Sequence, residues 1–402
     1  MVNVMSVASK IETAQRSIHT GGAAAQSQPV ALQVCQSLEA AGSQQYAVSL
    51  AAELNRRLYT PVVCSMNQGG PLEAELIARE IPFTVMNSPA GLRPEALWHL
   101  FKLFRRTRAE VVHTHHFRQL LHSIVPAKLV GARLVHTEHT SLNHPLDDYG
   151  KLRCRIALRL LSRMCDAVVA VGTDGAQFLR DEIGIPGDKV YVVPGGINIE
   201  QYCESRQDCR LALGFQTTDR IIVTVARLSP EKNHRLLLAA FDILHRKSEN
   251  AKLLIVGGGP EEGVVRAEID RLGLGLSVSM LGIRRDIPRI LAASDLFLMS
   301  SDFEGLPISV LEAMAACLPV VSTNVGDLPM VVRDGVSGRL VPPGNPEALA
   351  AAALEVLSEP GVAARMGAAG RRHVENFTAR AMAEKYEQLY SLGAKCATER
   401  DK

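Results

Sequence analysis

From Val30 onward the chain alternates short apolar runs with segments whose apolar residues recur every three or four positions. VALQV, starting at Val30, is followed by Ala47, Leu50, Ala51, Leu54 and Leu58 at i, i+3, i+4 spacing, and then by PVVCSM. A continuous apolar run suits a strand buried on both faces, and the wider period suits a helix with one buried stripe. Their repetition predicts βαβ units, and so a parallel sheet covered by helices on both faces. Further strands are expected at residues 81–86, 110–115, 133–136, 167–171 and 190–193.

After PGGIN at residues 194–198 comes a polar stretch, 200–219, and a second alternating series then begins with IIVTVAR at Ile221. Strands are expected at 252–256, 277–281, 295–299 and 320–323, and closing helices at 347–357 and 378–392. The pattern predicts two doubly wound α/β domains, residues 30–200 and 201–377, followed by a terminal helix and tail, 378–402. Residues 1–29, rich in Ser, Gln, Gly and Ala without a period, read as a disordered extension.

Composition narrows the function classes. The 402 residues are 47% hydrophobic and 21% charged, ordinary globular usage, and the net charge of +2 gives no global field that calls for nucleic acid. With no long uninterrupted apolar run and no secretory leader, the expectation is a cytoplasmic protein. The cysteines, at 35, 64, 154, 165, 203, 209, 317 and 396, show no C-x-x-C or zinc spacing and read as reduced packing residues.

The most informative stretch is SSDFEGLPISVLEAMAACLPVVSTNVGD, residues 300–327. An apolar strand runs into a turn holding Glu304 and Gly305, and Pro307 stands where a helix would begin. In doubly wound sheets ligands gather at the carboxyl ends of strands, where helix N-termini offer unpaired N–H groups to anions. Glu304 at that mouth and Glu312 in the helix could grip hydroxyls flanking a phosphate, as a nucleotide sugar presents them. Equally, Glu304 could cap the helix and Glu312 be solvated.

A second constellation is VARLSPEKNH, residues 225–234, in which Arg227 ends a strand and Lys232 precedes the next helix. Such a pair neutralises a diphosphate without a metal, Arg as a fork and Lys as a point charge, unless both are plain surface charge. No D-x-D pair is present to hold a diphosphate through a metal. VGGGPEEG places Glu262 where the third glycine of G-x-G-x-x-G belongs, so a tight turn is expected there rather than a dinucleotide site.

Histidines cluster at strand ends in the first domain, namely His113, His115, His116, His136 and His139. A histidine can donate to a sugar hydroxyl or meet developing charge, or be a satisfied structural group, and His139, just past its strand, is the main candidate. Residues 100–165 hold twelve Lys or Arg against four Asp or Glu. Within them Lys151, Arg155, Arg159 and Arg163 form a helical stripe beside Leu152, Ile156, Leu160 and Met164. Such a helix could lie on an anionic leaflet or be half buried with a solvated basic face.

In their order, SLEAAG, VHTEH, VVPGGIN, VARLSPEKN, LLIVGGGP, LGIRRDI and EGLPISVLEAMA resemble the retaining glycosyltransferases of family 4, from about Val30 to Leu392. The resemblance implies the GT-B architecture, two Rossmann-like domains facing each other across a cleft. The first would be the acceptor side, the second would bind the nucleotide sugar, and the terminal helix would return towards the first. Glu304 and Glu312 match the family's Glu-x7-Glu motif. By that resemblance Glu304 holds the donor sugar's hydroxyls at the reaction centre, with His139 facing the same sugar, and Glu312 holds the ribose. Arg227 and Lys232 resemble the diphosphate pair, and the backbone at Ile283 and Arg284 the base-binding edge.

The family's Gly-Gly loop after the first strand corresponds to Ala41-Gly42 rather than to Gly21-Gly22, which no strand precedes. Ala41 there removes one position of backbone freedom. Pro307 replaces a common glycine and has no N–H, leaving Gly305, Leu306, Ile308 and Ser309 for the phosphate. Cys317 also replaces a frequent glycine, with an effect expected on packing alone.

The implied reaction moves a hexosyl group from a nucleoside-diphosphate sugar to a hydroxyl of a glycan or lipid-linked acceptor, with retention and without a metal. Surface polysaccharide or glycolipid synthesis is its expected setting. The basic segment would supply peripheral contact with an anionic membrane. A sugar-nucleotide epimerase of the same two-domain build is the alternative, and a nicotinamide-dependent oxidoreductase is disfavoured by the failed glycine pattern.

Overall fold

The computed structural model describes residues 28–39, 42–88, 93–139 and 152–392. Most of the expected extension, together with Ala41 and Lys151, lies outside the described residues.

The described chain forms two compact units, one up to Gly196 and again from Ala379, the other Ile197–Thr378. The Ile197 N–H donates to the Phe377 carbonyl and Ile197 bridges Thr378, which binds both connecting segments to the second unit.

In the first unit β1 (Val30–Ser37), β2 (Thr60–Gln68), β3 (Phe83–Val85), β4 (Ala109–His115), β5 (Arg133–Glu138), β6 (Ala167–Ala170) and β7 (Val190–Val192) lie in the order 3-2-1-4-5-6-7. All pairings are parallel. The second unit holds β8 (Arg220–Val225), β9 (Ala251–Val256), β10 (Val278–Gly282), β11 (Leu296–Met299), β12 (Val320–Thr323) and β13 (Gly338–Val341), parallel and in the order 10-9-8-11-12-13. Strand order reverses between β1 and β4 and between β8 and β11. The carboxyl ends of those strands are where a doubly wound sheet opens a crevice for ligand.

The strands were legible because parallel sheets covered on both faces demand nearly continuous apolar runs. Ile221, Ile222 and Val223 of β8 and all of Leu296–Met299 are buried, their side chains divided between two cores. Leu58 is a correction: the first helix, Gly42–Glu53, stops at Glu53, and Leu58 is exposed. Three further elements depart from expectation. The polar stretch contains the helix Arg206–Ala212, capped by the Ser205 hydroxyl. β13 is too short and too half-exposed to show a period. The helix Pro360–Val374 includes Gly367, where a side chain would meet the Cys317 carbonyl.

Cys317 corrects a second expectation, since its φ of 59° puts a side-chain-bearing residue in the left-handed region past the helix Ile308–Ala315. Replacing glycine here therefore strains the backbone as well as altering packing.

The first unit carries polar strand interiors: Gln33, His113 and His136 are fully buried. The terminal helix Ala379–Ser391 covers this sheet and brings Tyr386 and Tyr390 to Gln33 and the histidines.

Candidate active site

In the second unit the loops after β8 and β11, neighbours across the reversal of strand order, are bolted together. The Ser300 hydroxyl donates to the carbonyls of Lys232 and Asn233 at 3.0 Å, and the Asp302 N–H donates to the Glu231 carbonyl at 2.8 Å. Asn233, at φ 45°, caps the helix His234–His245 through Oδ1 while its Nδ2 donates to Asp302 at 3.0 Å. This clamp sets Lys232 against Glu304. The ammonium lies 2.7 Å from both carboxylate oxygens, and Ser301 Oγ donates to Oε1 at 2.6 Å.

Glu304 is buried, 7% exposed, so its charge depends on these partners. The two constellations that looked separate along the chain are one site. Arg227, two residues past β8, is exposed and makes no ion pair or side-chain hydrogen bond among the described residues. Its loop runs close under the next one: Gly257 has φ 137°, and a Cβ there would sit 1.9 Å from the Ala226 carbonyl oxygen. The glycine-rich run thus serves close approach of loops. Gly326 does the same beneath Glu304, where a Cβ would come within 1.8 Å of the Glu304 carbonyl oxygen.

Pro307 stands at the N-cap position of the helix Ile308–Ala315 without a side-chain capping bond. The backbone N–H groups of Gly305, Leu306, Ile308 and Ser309 find no acceptor among the described residues, whereas that of Val310 donates to the Pro307 carbonyl. Unpaired donors at a helix start, beside a lysine and a free arginine, form an anion-binding edge.

Glu312 points elsewhere than to solvent. Tyr202 Oη, contributed by the segment after Ile197, donates to its Oε1 at 2.7 Å. Burial pushes the Glu312 carboxyl up to about 7, the tyrosine pulling the other way. Tyr202 was not singled out in the sequence, where it sits in a polar stretch with nothing to link it to a helix 110 positions on. Ile283 and Arg284 follow the carboxyl end of β10: Ile283 is 85% exposed and Arg284 is forked onto Asp286 at 2.6 and 2.8 Å.

In the first unit Gly42 opens its helix, exposed and with free space around it. His139 follows β5, with Nε2 2.9 Å from His115 Nδ1 and its ring against Tyr46 and His116. His113 is tied to Tyr390 and Thr137, and His136 to Thr114, inside the sheet. Glu138 is buried between His136 at 3.6 Å and His116 at 3.7 Å. Burial opposes its charge, but those two imidazoles hold its carboxyl well below the usual range. A cavity of about 870 Å³ opens at the amino ends of β4 and β5, lined by Arg105, Arg108 and Arg133, at the edge opposite these histidines.

Residues 40–201 match the family model "Glycosyltransferase Family 4", and residues 205–373 match "Glycosyl transferases group 1". The D-inositol 3-phosphate glycosyltransferase of Streptomyces scabiei is 30% identical over 351 residues, 79% of this chain and 75% of that protein. The UDP-Gal:alpha-D-GlcNAc-diphosphoundecaprenol alpha-1,3-galactosyltransferase of Escherichia coli is 25% identical over 61% of this chain and 66% of its own. Among solved structures, Anabaena Alr3699/HepE in complex with UDP superposes with a TM-score of 0.79 at 22% identity, covering 90% of this chain and 99% of that one. Sequence and fold agree: this chain belongs to the family 4 type of glycosyltransferases, built on the GT-B fold.

Proposed function

We propose that the protein is a retaining hexosyltransferase that takes its sugar from a nucleoside diphosphate and passes it to a hydroxyl of a glycan or lipid-linked acceptor. The observation that carries this reading is the Lys232–Glu304 pair, set beside the unbound Arg227 and the open N–H groups before Ser309. As the glycosidic bond breaks, positive charge grows on the sugar and negative charge on the leaving diphosphate. Arg227, Lys232 and the N–H row stabilise the second, without a metal. Glu304 faces the sugar's hydroxyls and Glu312 the ribose. The acceptor hydroxyl attacks on the leaving group's own face, its proton passing to a diphosphate oxygen.

Two relatives support this reading. HepE is complexed with UDP, and the Escherichia coli relative is named for a UDP-galactose donor and a diphosphoundecaprenol-linked acceptor. A lipid-linked acceptor places the work at a membrane face and in surface polysaccharide synthesis. The helix Leu152–Ser162 suits peripheral contact: Leu152, Ile156 and Leu160 are exposed beside Arg153 and Arg159. No helix among the described residues is long and apolar enough to cross a membrane.

The test is incubation with a panel of nucleotide sugars, with and without polyprenyl-diphosphate sugar acceptors and with chelator present, reading diphosphate release and the product's anomeric configuration by NMR. Acceptor-dependent release with retention is expected. Inversion overturns the mechanism, and sugar interconversion without an acceptor marks an epimerase.

A further inference from the structure

Eight hydrogen bonds run in sequence from His139 to the backbone carbonyl of Val193, just past β7. His139 Nε2 meets His115 Nδ1 at 2.9 Å, and His115 Nε2 meets Gln33 Oε1 at 3.0 Å. Gln33 Nε2 meets Tyr390 Oη at 3.0 Å, and Tyr390 Oη meets His113 Nδ1 at 2.7 Å. His113 Nε2 meets Thr137 Oγ1 at 2.7 Å, and Thr137 Oγ1 meets Tyr386 Oη at 2.7 Å. Tyr386 Oη meets Tyr46 Oη at 2.8 Å, and Tyr46 Oη lies 2.9 Å from the Val193 carbonyl oxygen.

The last link fixes the rest, because a carbonyl only accepts. Tyr46 spends its single proton on Val193, so Tyr386 donates to Tyr46 and Thr137 to Tyr386. His113 must then donate from Nε2 and, being neutral, accepts at Nδ1 from Tyr390. Tyr390 in turn accepts from the Gln33 amide, whose oxygen accepts from His115 Nε2. His115 Nδ1 is left bare and takes the proton of His139 Nε2. This polarity does not depend on which way the Gln33 amide was assigned, since the carbonyl end alone dictates it. Neutral rings are what the site favours: burial, then the neighbouring imidazoles, hold His113, His115 and His139 well below the ordinary imidazole range.

We infer that this one-way chain makes Tyr46, Gln33 and His115 positioning residues that lock His139 in the Nε2–H tautomer, so that its Nδ1 offers only a lone pair. Nδ1 has no partner among the described residues. If His139 faces the donor sugar, which rests on the function proposed above, the group it meets there must be a hydrogen-bond donor such as a hydroxyl. A carboxylate at that place is rejected, and His139 in this tautomer hands no proton to the leaving group.

The experiment is long-range 1H–15N correlation on the full-length protein labelled at histidine, with His139 assigned from the His139→Gln protein. At pH 7.5 without ligand, His139 is expected to show a protonated Nε2 and a bare Nδ1. An Nδ1–H tautomer or an imidazolium overturns the inference. Tyr46→Phe removes the anchor and lets the chain run either way, so the Nδ1 resonance should move toward the protonated range. An unmoved resonance in a folded Tyr46→Phe protein also overturns it. The wild-type spectrum decides the tautomer even if the variant does not fold. Transfer from the donor identified by the nucleotide-sugar panel separately tests whether His139 faces sugar: unchanged turnover in His139→Gln removes that reading and leaves the tautomer standing.

Discussion

The Lys232 ammonium sits 2.7 Å from both oxygens of Glu304, pairing the cation we propose for the diphosphate with the carboxylate we propose for the sugar. Before ligand arrives each keeps the other from being buried alone. Nζ carries three protons, so the same lysine can hold Glu304 and still reach a phosphate oxygen. In the proposed reaction, ground-state order and transition-state electrostatics would share this one contact.

That pairing separates the two cations experimentally. Arg227→Ala and Lys232→Ala should each weaken UDP binding far more than uridine binding, by about 2–5 kcal/mol for loss of a charge-assisted partner. Only Lys232→Ala should also lower thermal stability, because it leaves Glu304 buried and unpaired, whereas Arg227 is exposed and unbound. Calorimetric titration and melting curves read both effects. Equal loss of affinity for UDP and uridine would place the cations away from the phosphates.

The two glutamates should divide binding from turnover. Glu312→Gln is expected mainly to raise the Kd for the donor, and Glu304→Gln mainly to lower kcat. Matching profiles in steady-state and binding assays would refute the division.

Glu312 also carries a pH signature. Its carboxyl is pushed up to about 7 by burial, so the folded protein keeps a proton that the unfolded chain releases above the ordinary glutamate value of 4.5. Stability from this group is fully present below about 4.5 and is lost as pH rises through 7, by at most about 3.5 kcal/mol at about 1.4 kcal/mol per unit. The difference between wild type and Glu312→Gln in denaturant titrations isolates it, and a flat difference between pH 4.5 and 8 rejects it. A ribose diol donating to the carboxylate selects the ionised form, so UDP affinity should climb through the same range in wild type only.

The strands other than β13 were visible in the sequence because burial on two faces leaves an unbroken apolar run, as in residues 296–299, whereas the half-exposed β13 has none. Glu304, Lys232 and Arg227 could be picked out because strand ends followed by helix starts have a recognisable grammar. The contact of Lys232 with Glu304 had no local signature, since it depends on β8 and β11 being neighbours. Tyr202 was hidden for the same reason. The histidine cluster was noticed, but its partners Tyr386 and Tyr390 come from the chain's last described helix, where they look like ordinary members of an apolar stripe.

Cys317→Gly should stabilise the protein. At φ 59° a residue with a Cβ costs about 1–2 kcal/mol, against about 0.5–1 kcal/mol of extra chain entropy for glycine. The net is on the order of 1 kcal/mol, or a few degrees in Tm. A melting temperature equal to or below wild type would show that the exposed thiol's contacts outweigh the strain.

The basic helix should hold the protein on anionic lipid. Arg159 is exposed beside Ile156 and Leu160, and Arg163 beside Met164, so apolar and cationic groups face water together. Arg155 is partly engaged, its Nη2 donating to Glu182 Oε2 at 2.8 Å and its guanidinium lying over the Phe178 ring, which leaves Arg153, Arg159 and Arg163 as the freer charges. Each basic residue near an anionic surface contributes about 1 kcal/mol, screened by salt over roughly 10 Å at 0.1 M. Exposed apolar side chains add adsorption that salt does not screen. Sedimentation with anionic vesicles should therefore fall steeply as salt rises and fall further when Arg155, Arg159 and Arg163 are all replaced by Glu. Leu160→Ser should weaken whatever binding survives at high salt. Equal binding to neutral and anionic vesicles, or no change in the triple variant, would make this a solvated helix face and detach the acceptor from the membrane argument.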